Sequence, residues 1–231
     1  MDFSGWEKLS LVDFDDKITT TLFMAGCNFR CPFCHNSDLV LHPDTAPKIP
    51  WSEIMEYLKK RQGVLDAVCV SGGEPTLMHD LEEKLKDIKS LGYLVKLDSN
   101  GSNPALLRKF VSMSLVDYVA MDIKNSKKRY AETIGLSHYD LAPIEESVSF
   151  LMNAGIPYEF RTTIMEEFHD EESIVEIGQW IAGAKRYFLQ LYIESEHCIQ
   201  QGHHPIAKEK AEKFLLLLKP YLANAKLRGY E

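Results

Sequence analysis

Short apolar runs alternate with longer segments whose apolar residues recur every three or four positions, and this alternation repeats six times along the chain. The runs predict strands at 17–24, 66–71, 93–98, 118–123, 158–164 and 187–193. Each is followed by a helix, at 51–61, 80–91, 104–113, 143–154, 171–183 and 206–223. Several helix ends are marked. Ser52, Glu53 and Glu56 put polar and acidic groups near the start of the first helix, and Gly92 and Gly155 follow apolar helix ends, where a left-handed closing residue is favoured. Strands that alternate with helices form a parallel sheet through right-handed crossovers. No linker rich in Gly, Ser or Pro and no internal repeat divides the chain, although 39–50 is a Pro-containing connection without periodicity, so a single domain over 1–231 is expected.

Six strand-helix units fit either an open doubly wound sheet or an incomplete barrel, and the polar residues favour the second. Three cysteines follow the first strand and Gly72-Gly73-Glu74-Pro75 follows the second. Asp98-Ser99-Asn100-Gly101 ends the third strand, Asp122 and Lys124 end the fourth, and Arg161 lies on the fifth. Chemistry gathered at the carboxyl ends of consecutive strands is how the active face of a barrel looks, so an α/β fold with a partial (β/α)6 barrel is predicted.

Composition narrows the function classes. Twenty-six Lys and Arg against thirty-four Asp and Glu give a net charge of −8, which argues against nucleic acid as the main partner. The longest apolar runs, such as 214–218, are far short of the ~20 residues that span a bilayer, so a soluble chain with no membrane partner is expected. Five cysteines, three of them clustered, make no disulfide framework, and the first residues lack a charged-then-apolar signal, which together predict a reducing cytoplasm.

The clustered cysteines, Cys27, Cys31 and Cys34, form a Cys-x3-Cys-x2-Cys array inside Gly26-Cys27-Asn28-Phe29-Arg30-Cys31-Pro32-Phe33-Cys34-His35-Asn36. An iron-sulfur cube needs one thiolate per iron to be closed, so three thiolates without a nearby fourth leave one iron open to a substrate or cosubstrate. The remaining cysteines sit in unlike contexts. Cys69 lies within an apolar run and reads as a small buried hydrophobe, and Cys198 reads as an incidental thiol. His169, His203 and His204 are isolated imidazoles on loops, for which solvated positions are expected.

The array resembles the signature of the radical S-adenosylmethionine (SAM) superfamily, and His35-Asn36 after it resembles the branch that activates glycyl radical enzymes. The likeness runs from about residue 11 to residue 193. It implies a 4Fe-4S cluster on Cys27, Cys31 and Cys34, whose open iron chelates the methionine part of SAM, and reductive cleavage to a 5′-deoxyadenosyl radical. It also implies cofactor-binding roles for several residues of this chain. Phe33 would lie beside the adenine, with His35 and Asn36 shaping the site. Gly72, Gly73 and Glu74 would receive the SAM ammonium, Lys124 would reach the SAM carboxylate, Asn100 would bond the ribose, and Arg161 would bind SAM or form an ion pair from the inner face it shares with Glu159 and Thr163. Asp98, Ser99 and Asp122 would hold a monovalent cation with a carboxylate oxygen of SAM; the competing reading has Asp98 capping its turn and Asp122 paired with Lys124.

The implied activity is abstraction of a glycine Cα hydrogen from a partner glycyl radical enzyme. The compact cysteine pattern most resembles the activating proteins of anaerobic (class III) ribonucleotide reductase, then pyruvate formate-lyase activating enzyme. An electron donor such as a flavodoxin or ferredoxin follows from the same chemistry. The loop from Lys124 through Lys127, Lys128, Arg129 and Tyr130 to Gly135 is expected to be partly solvated and to meet the protein substrate. The chain departs from relatives at two points: Asp15-Asp16 replace a Gly-containing turn, and the sixth strand lacks a histidine for SAM, leaving Gln190, Tyr192 or Glu194 for that task. The competing readings are a radical SAM enzyme acting on a small molecule, as in deazapurine synthesis, a structural zinc site, and an iron-sulfur module for electron transfer.

Overall fold

The computed structural model describes residues 3–230. One eight-stranded sheet runs through them in the order of the chain: β1 (Phe3–Ser10), β2 (Thr19–Met24), β3 (Ala67–Gly72), β4 (Leu94–Ser99), β5 (Tyr118–Asp122), β6 (Tyr158–Ile164), β7 (Tyr187–Leu191) and β8 (Ala225–Arg228). From β2 to β8 every neighbouring pair is parallel, while β1 runs antiparallel to β2. The edge strands β1 and β8 are not joined, so the curved sheet is an open, partial barrel. Its helices are α1 (Ser37–Leu41), α2 (Trp51–Lys60), α3 (Leu81–Ser90), α4 (Pro104–Ser112), α5 (Tyr130–Thr133), α6 (Ala142–Asn153), α7 (Glu171–Trp180) and α8 (Lys208–Leu218).

The six strand-helix units stand where the periodicity puts them, with ends shifted by a few residues. The differences lie outside the units. β1 reads Phe-Ser-Gly-Trp-Glu-Lys-Leu-Ser and exposes its central Glu7, Lys8 and Leu9, so it carries no alternation to read. The expected final helix stops at Leu218, and the chain turns back into β8, which has only four residues and two basic side chains. Helices α1 and α5 are single turns too short to show a period. Gly92 and Gly155 close α3 and α6 at φ values of 86° and 76°, the left-handed conformation expected there. No helix among the described residues is long and apolar enough to cross a membrane.

Strand alternation separates the two faces of the sheet. Val68, Val70, Val95, Leu97, Val119, Met121 and Phe160 join the core with Leu58, Leu85, Leu107, Leu151 and Ile177 of the helices. The opposite parity carries Lys96, Asp98, Tyr118, Asp122, Glu159 and Arg161, which pair with one another on the concave side. Parallel register sets Asp122 beside Arg161 across β5 and β6.

The end of β3 is pressed against the connection that leaves β2. A Cβ on Gly72, whose φ is 110°, would lie 2.3 Å from the Met24 nitrogen, and one on Gly73 would lie 1.9 Å from the Gly26 oxygen. These glycines are fixed by contact between two backbones, and the same contact is closed by hydrogen bonds from Gly73 N–H to Met24 O and Glu74 N–H to Gly26 O, both 2.9 Å. Gly73→Ala is therefore expected to cost about 1–3 kcal/mol by overpacking. Urea denaturation checks this, and an unchanged midpoint would contradict it.

Candidate functional site

The connection after β2 carries the three clustered cysteines and is sewn to its surroundings by backbone hydrogen bonds. Gly26 N–H donates to Leu39 O at 2.8 Å, Arg30 N–H to Ile134 O at 2.9 Å, Ile199 N–H to Cys34 O at 3.2 Å and Gln200 N–H to Pro32 O at 2.7 Å. The Asn36 amide donates to Gly72 O at 3.1 Å, joining the far end of the same loop to β3. A segment without regular structure is thus held in one shape by the end of β3, by α1, by the residue after α5 and by the segment after β7.

Cys27, Cys31 and Cys34 line one open-mouthed cavity. The residues to which the resemblance gave a cofactor role line it too, apart from Glu74 and the alternatives Gln190, Tyr192 and Glu194: Phe33, His35 and Asn36 from the loop, Gly72 and Gly73, Asp98, Ser99 and Asn100, Asp122, Lys124 and Arg161. Thr163, expected on the inner face with Arg161, also lines it, and Phe29, Val40 and Ser71, which were not anticipated, complete the wall. Ser71 had a signal, since it directly precedes Gly72-Gly73 at the carboxyl end of β3.

Glu74 departs from its expected place. It is fully buried away from the cavity and accepts from Thr76 N–H at 3.0 Å, Thr76 Oγ1 at 2.6 Å, Ser99 Oγ at 2.9 Å and Asn100 N–H at 2.6 Å. Both carboxylate oxygens are engaged by the chain, so Glu74 braces the ends of β3 and β4 against each other. What faces the cavity from this motif is the backbone of Gly72 and Gly73.

The expected cation site also changes. The guanidinium of Arg161 lies between the two carboxylates, with Nε 2.6 Å from Asp122 Oδ1 and Nη2 3.1 Å from Asp98 Oδ2. Lys124 Nζ reaches Asp122 Oδ2 at 2.8 Å, Lys96 Nζ lies 3.2 Å from Asp98 Oδ1, and Ser71 Oγ donates to Asp98 Oδ2 at 3.0 Å. Lys96 is within ion-pair range of Asp98 Oδ1 but makes no well-directed hydrogen bond to it. Side chains therefore supply the countercharge for which a monovalent ion was expected. Burial pushes the Asp122 carboxyl up, yet Arg161 and Lys124 outweigh it and hold Asp122 well below the usual carboxylate range. Burial likewise opposes the Lys124 charge, but Asp122 beside it keeps the ammonium protonated. Among the charged side chains that line the cavity, Arg161 and Lys124 balance Asp98 and Asp122, and the Lys124 ammonium is a fixed donor suited to an anionic group.

The thiols behave differently. Burial pushes Cys27 up to about 11 and Cys31 up to about 12, and burial raises Cys34 as well. Metal binding at these thiols must therefore release protons, and Lys124, which lowers all three, helps that release. Among the described residues no three His, Cys, Asp or Glu side chains are grouped closely enough to hold a single metal ion. A zinc ion draws its thiolates to about 2.3 Å from one point, whereas a cubane takes one thiolate at each of three separate corners. Three thiols spread around a cavity fit the cluster.

The remaining assignments sort clearly. Cys69 is buried in β3 as expected, and Cys198 is buried behind the cysteine loop, 3.5 Å from the Tyr192 hydroxyl and outside the cavity wall. Gln190, Tyr192 and Glu194 do not line the cavity; Tyr192 is fully buried, and Glu194 accepts from His203 N–H at 3.1 Å. His204 is exposed and lies 2.7 Å from Glu167, but His169 and His203 are buried, contrary to expectation. In the 124–135 loop, Lys127, Lys128 and Arg129 are exposed or half-exposed yet paired with Glu145, Glu176 and Asp170, and Tyr130 is fully buried. That loop is braced against the cysteine loop.

Asp98 and Asp122 titrate below their ordinary values in the folded chain, as does Glu159 beside Arg228. Their contribution to stability is complete above the unfolded carboxylate range of about pH 4 and is lost as pH falls through the folded values. Asp122→Asn strands Arg161 and Lys124 and is expected to cost about 3–5 kcal/mol at neutral pH while shrinking the acid-induced loss. Urea midpoints measured across pH check both, and a midpoint that does not move at pH 7 would contradict the ion-pair account.

Residues 21–180 match the family model described as the radical SAM superfamily. A protein of Methanocaldococcus jannaschii provisionally named a glycyl-radical enzyme activating enzyme is 29% identical over 97% of this chain and 95% of its own length. The pyruvate formate-lyase-activating enzyme of Streptococcus mutans is 26% identical over 73% of this chain and 67% of its own. Among solved structures, SuiB of Streptococcus suis superposes with a TM-score of 0.71 at 14% identity; 90% of this chain is covered, which spans 48% of that longer one. A match over well more than half the chain, which takes in the cysteine loop and the polar strand ends, places this protein in the radical SAM superfamily, whose enzymes use a 4Fe-4S cluster and SAM.

Proposed function

We propose that the chain is an activating enzyme that removes one hydrogen atom from a glycine Cα of a partner glycyl radical enzyme, with anaerobic ribonucleotide reductase as the partner most in keeping with the cysteine pattern. The observation that carries the reading is the cavity itself, which brings three thiols, a doubly glycine backbone turn and the Lys124 ammonium held against Asp122 together at the open face of a partial barrel. The full-length likeness to the M. jannaschii protein supports the activating role. Bound there, the cluster and SAM supply a one-electron reductive cleavage that yields methionine and a 5′-deoxyadenosyl radical able to take a hydrogen atom from carbon.

The chain's own residues hold and orient. Cys27, Cys31 and Cys34 would hold the cluster by three thiolates. Lys124, kept protonated by Asp122, meets the SAM carboxylate. The backbone of Gly72 and Gly73 would receive the ammonium, Asn100 would bond the ribose, and Phe33 would offer an apolar ring to the adenine, while Ser99 Oγ is held by Glu74. His35 and Asn36 shape the loop, Asn36 by its bond to Gly72 O. Asp98, Asp122 and Arg161 form the rigid floor on which Lys124 stands. The loop 124–135, tied to the cysteine loop through Arg30 N–H and Ile134 O, would meet the protein substrate. All five cysteines are free thiols, in keeping with work in a reducing cytoplasm beside an electron donor such as flavodoxin or ferredoxin.

Anaerobic reconstitution with iron and sulfide, followed by reduction with dithionite in the presence of SAM and a candidate partner, tests the reading. The expected result is 5′-deoxyadenosine by chromatography together with a glycyl doublet in the electron paramagnetic resonance spectrum of the partner. Deoxyadenosine with no radical on any glycyl radical enzyme would contradict the activating role. Cys31→Ala is expected to abolish cluster incorporation and deoxyadenosine formation while leaving the far-ultraviolet circular dichroism in place; retained cleavage would remove the cysteines from the site.

A further inference from the structure

His169 sits in the turn after β6, within the acidic run Glu166-Glu167-Phe168-His169-Asp170-Glu171-Glu172, yet its imidazole is completely buried. Met165 N–H donates to Nδ1 at 3.3 Å, so that nitrogen presents its lone pair, and the ring proton is assigned to Nε2, which lies 3.0 Å from the carbonyl oxygen of Lys124. Both nitrogens are used by one neutral tautomer. Burial agrees, pushing the imidazole down to about 4.

The bond falls at a sensitive place. Lys124 lies beyond the end of β5, where sheet support has run out: the last bond on this side goes from Ile123 N–H to Arg161 O at 2.9 Å. One residue later the backbone carbonyl is held by His169. The same two loops are tied again just beyond, where the buried Asn125 amide donates to Phe168 O and to Thr133 Oγ1, both at 2.8 Å, and Arg129 Nη2 donates to Glu167 O at 3.0 Å. Phe168 in turn packs on Phe33 of the cysteine loop with ring centroids 5.9 Å apart. Rotation of the Lys124 peptide would swing its side chain away from Asp122 and out of the cavity, and the imidazole opposes that rotation.

We propose that His169 is a positioning residue: its Nε2–H fixes the Lys124 backbone and so aims the ammonium at the carboxylate of SAM. The proposal rests on the reading of Lys124 as the carboxylate anchor. It differs from a role in closing the 165–169 turn, which needs only the Nδ1 acceptor and the backbone bond from His169 N–H to Met165 O at 3.0 Å.

Two substitutions separate these roles. His169→Gln carries a donor at the position of Nε2, whereas His169→Asn keeps an acceptor near Nδ1 and lacks that donor. Equilibrium dialysis of SAM against reconstituted, iron-matched protein should show the Gln variant within about twofold of wild type and the Asn variant weakened about 5- to 10-fold, the worth of one hydrogen bond. In a Lys124→Ala background, itself weakened about 10-fold or more by loss of a charge-assisted contact, the Asn substitution should add less than about twofold. Equal affinity of the Asn and Gln variants, or an undiminished Asn effect on top of Lys124→Ala, would overturn the role of His169. Unchanged affinity in Lys124→Ala alone would overturn its premise about Lys124, which the wild-type comparison reports separately. Independently of any variant, nitrogen-15 spectra of the cluster-free wild-type chain should show His169 as the Nε2–H tautomer from about pH 6 to 9; a protonated ring or the Nδ1–H tautomer would overturn the proposal.

Discussion

Two carboxylates, Asp98 and Asp122, stand on the concave side of the sheet, and the rest of the site depends on how their charge is balanced. Removed from water, neither can stay ionised unless cations are held against it. Arg161 answers both at once because parallel register sets it beside Asp122 on the next strand, with Asp98 on the strand beyond. Lys96 and Lys124 complete the balance from either end. The arrangement also fixes chemistry, because Lys124 is held protonated against Asp122 in the wall that the thiols share.

The loop that bears the cysteines has no fold of its own. Its shape comes from hydrogen bonds to α1, to the turn after β3, to the stretch before Gly135 and to the segment after β7, so its geometry is that of the open barrel face. Gly72 and Gly73 permit the closest of these approaches, and Glu74 locks the neighbouring strand ends beneath it. A mouth open to solvent above a floor this rigid suits a substrate that arrives as a segment of another protein while the cofactor is held firmly.

Much of this was legible in the chain and some was not, for physical reasons that differ by residue. The six strand-helix units announce themselves because both faces of each central strand are buried and the helices are amphipathic. The cysteine array and the residues at the strand ends could be gathered into one site because consecutive parallel strands end on one face. β1 escaped because an edge strand exposing Glu7, Lys8 and Leu9 has no alternation, and β8 because four residues give no period. Glu74 was misplaced because its partners Ser99 and Asn100 lie on the next strand. The role of Arg161 as the countercharge between Asp98 and Asp122 depends on strand register, which local motifs do not encode. His169 lies in a run of acids that reads as solvated surface, and only the approach of the loops after β5 and β6 buries it.

The central claim is that the cavity directs hydrogen abstraction from a glycine Cα of a partner protein. The most direct test uses a partner glycyl radical enzyme labelled with Cα-deuterated glycine, incubated anaerobically with the reduced enzyme and SAM, with the product 5′-deoxyadenosine analysed by mass spectrometry. The account predicts one deuterium in the deoxyadenosine for each glycyl radical formed. Unlabelled deoxyadenosine accompanying the radical would contradict it.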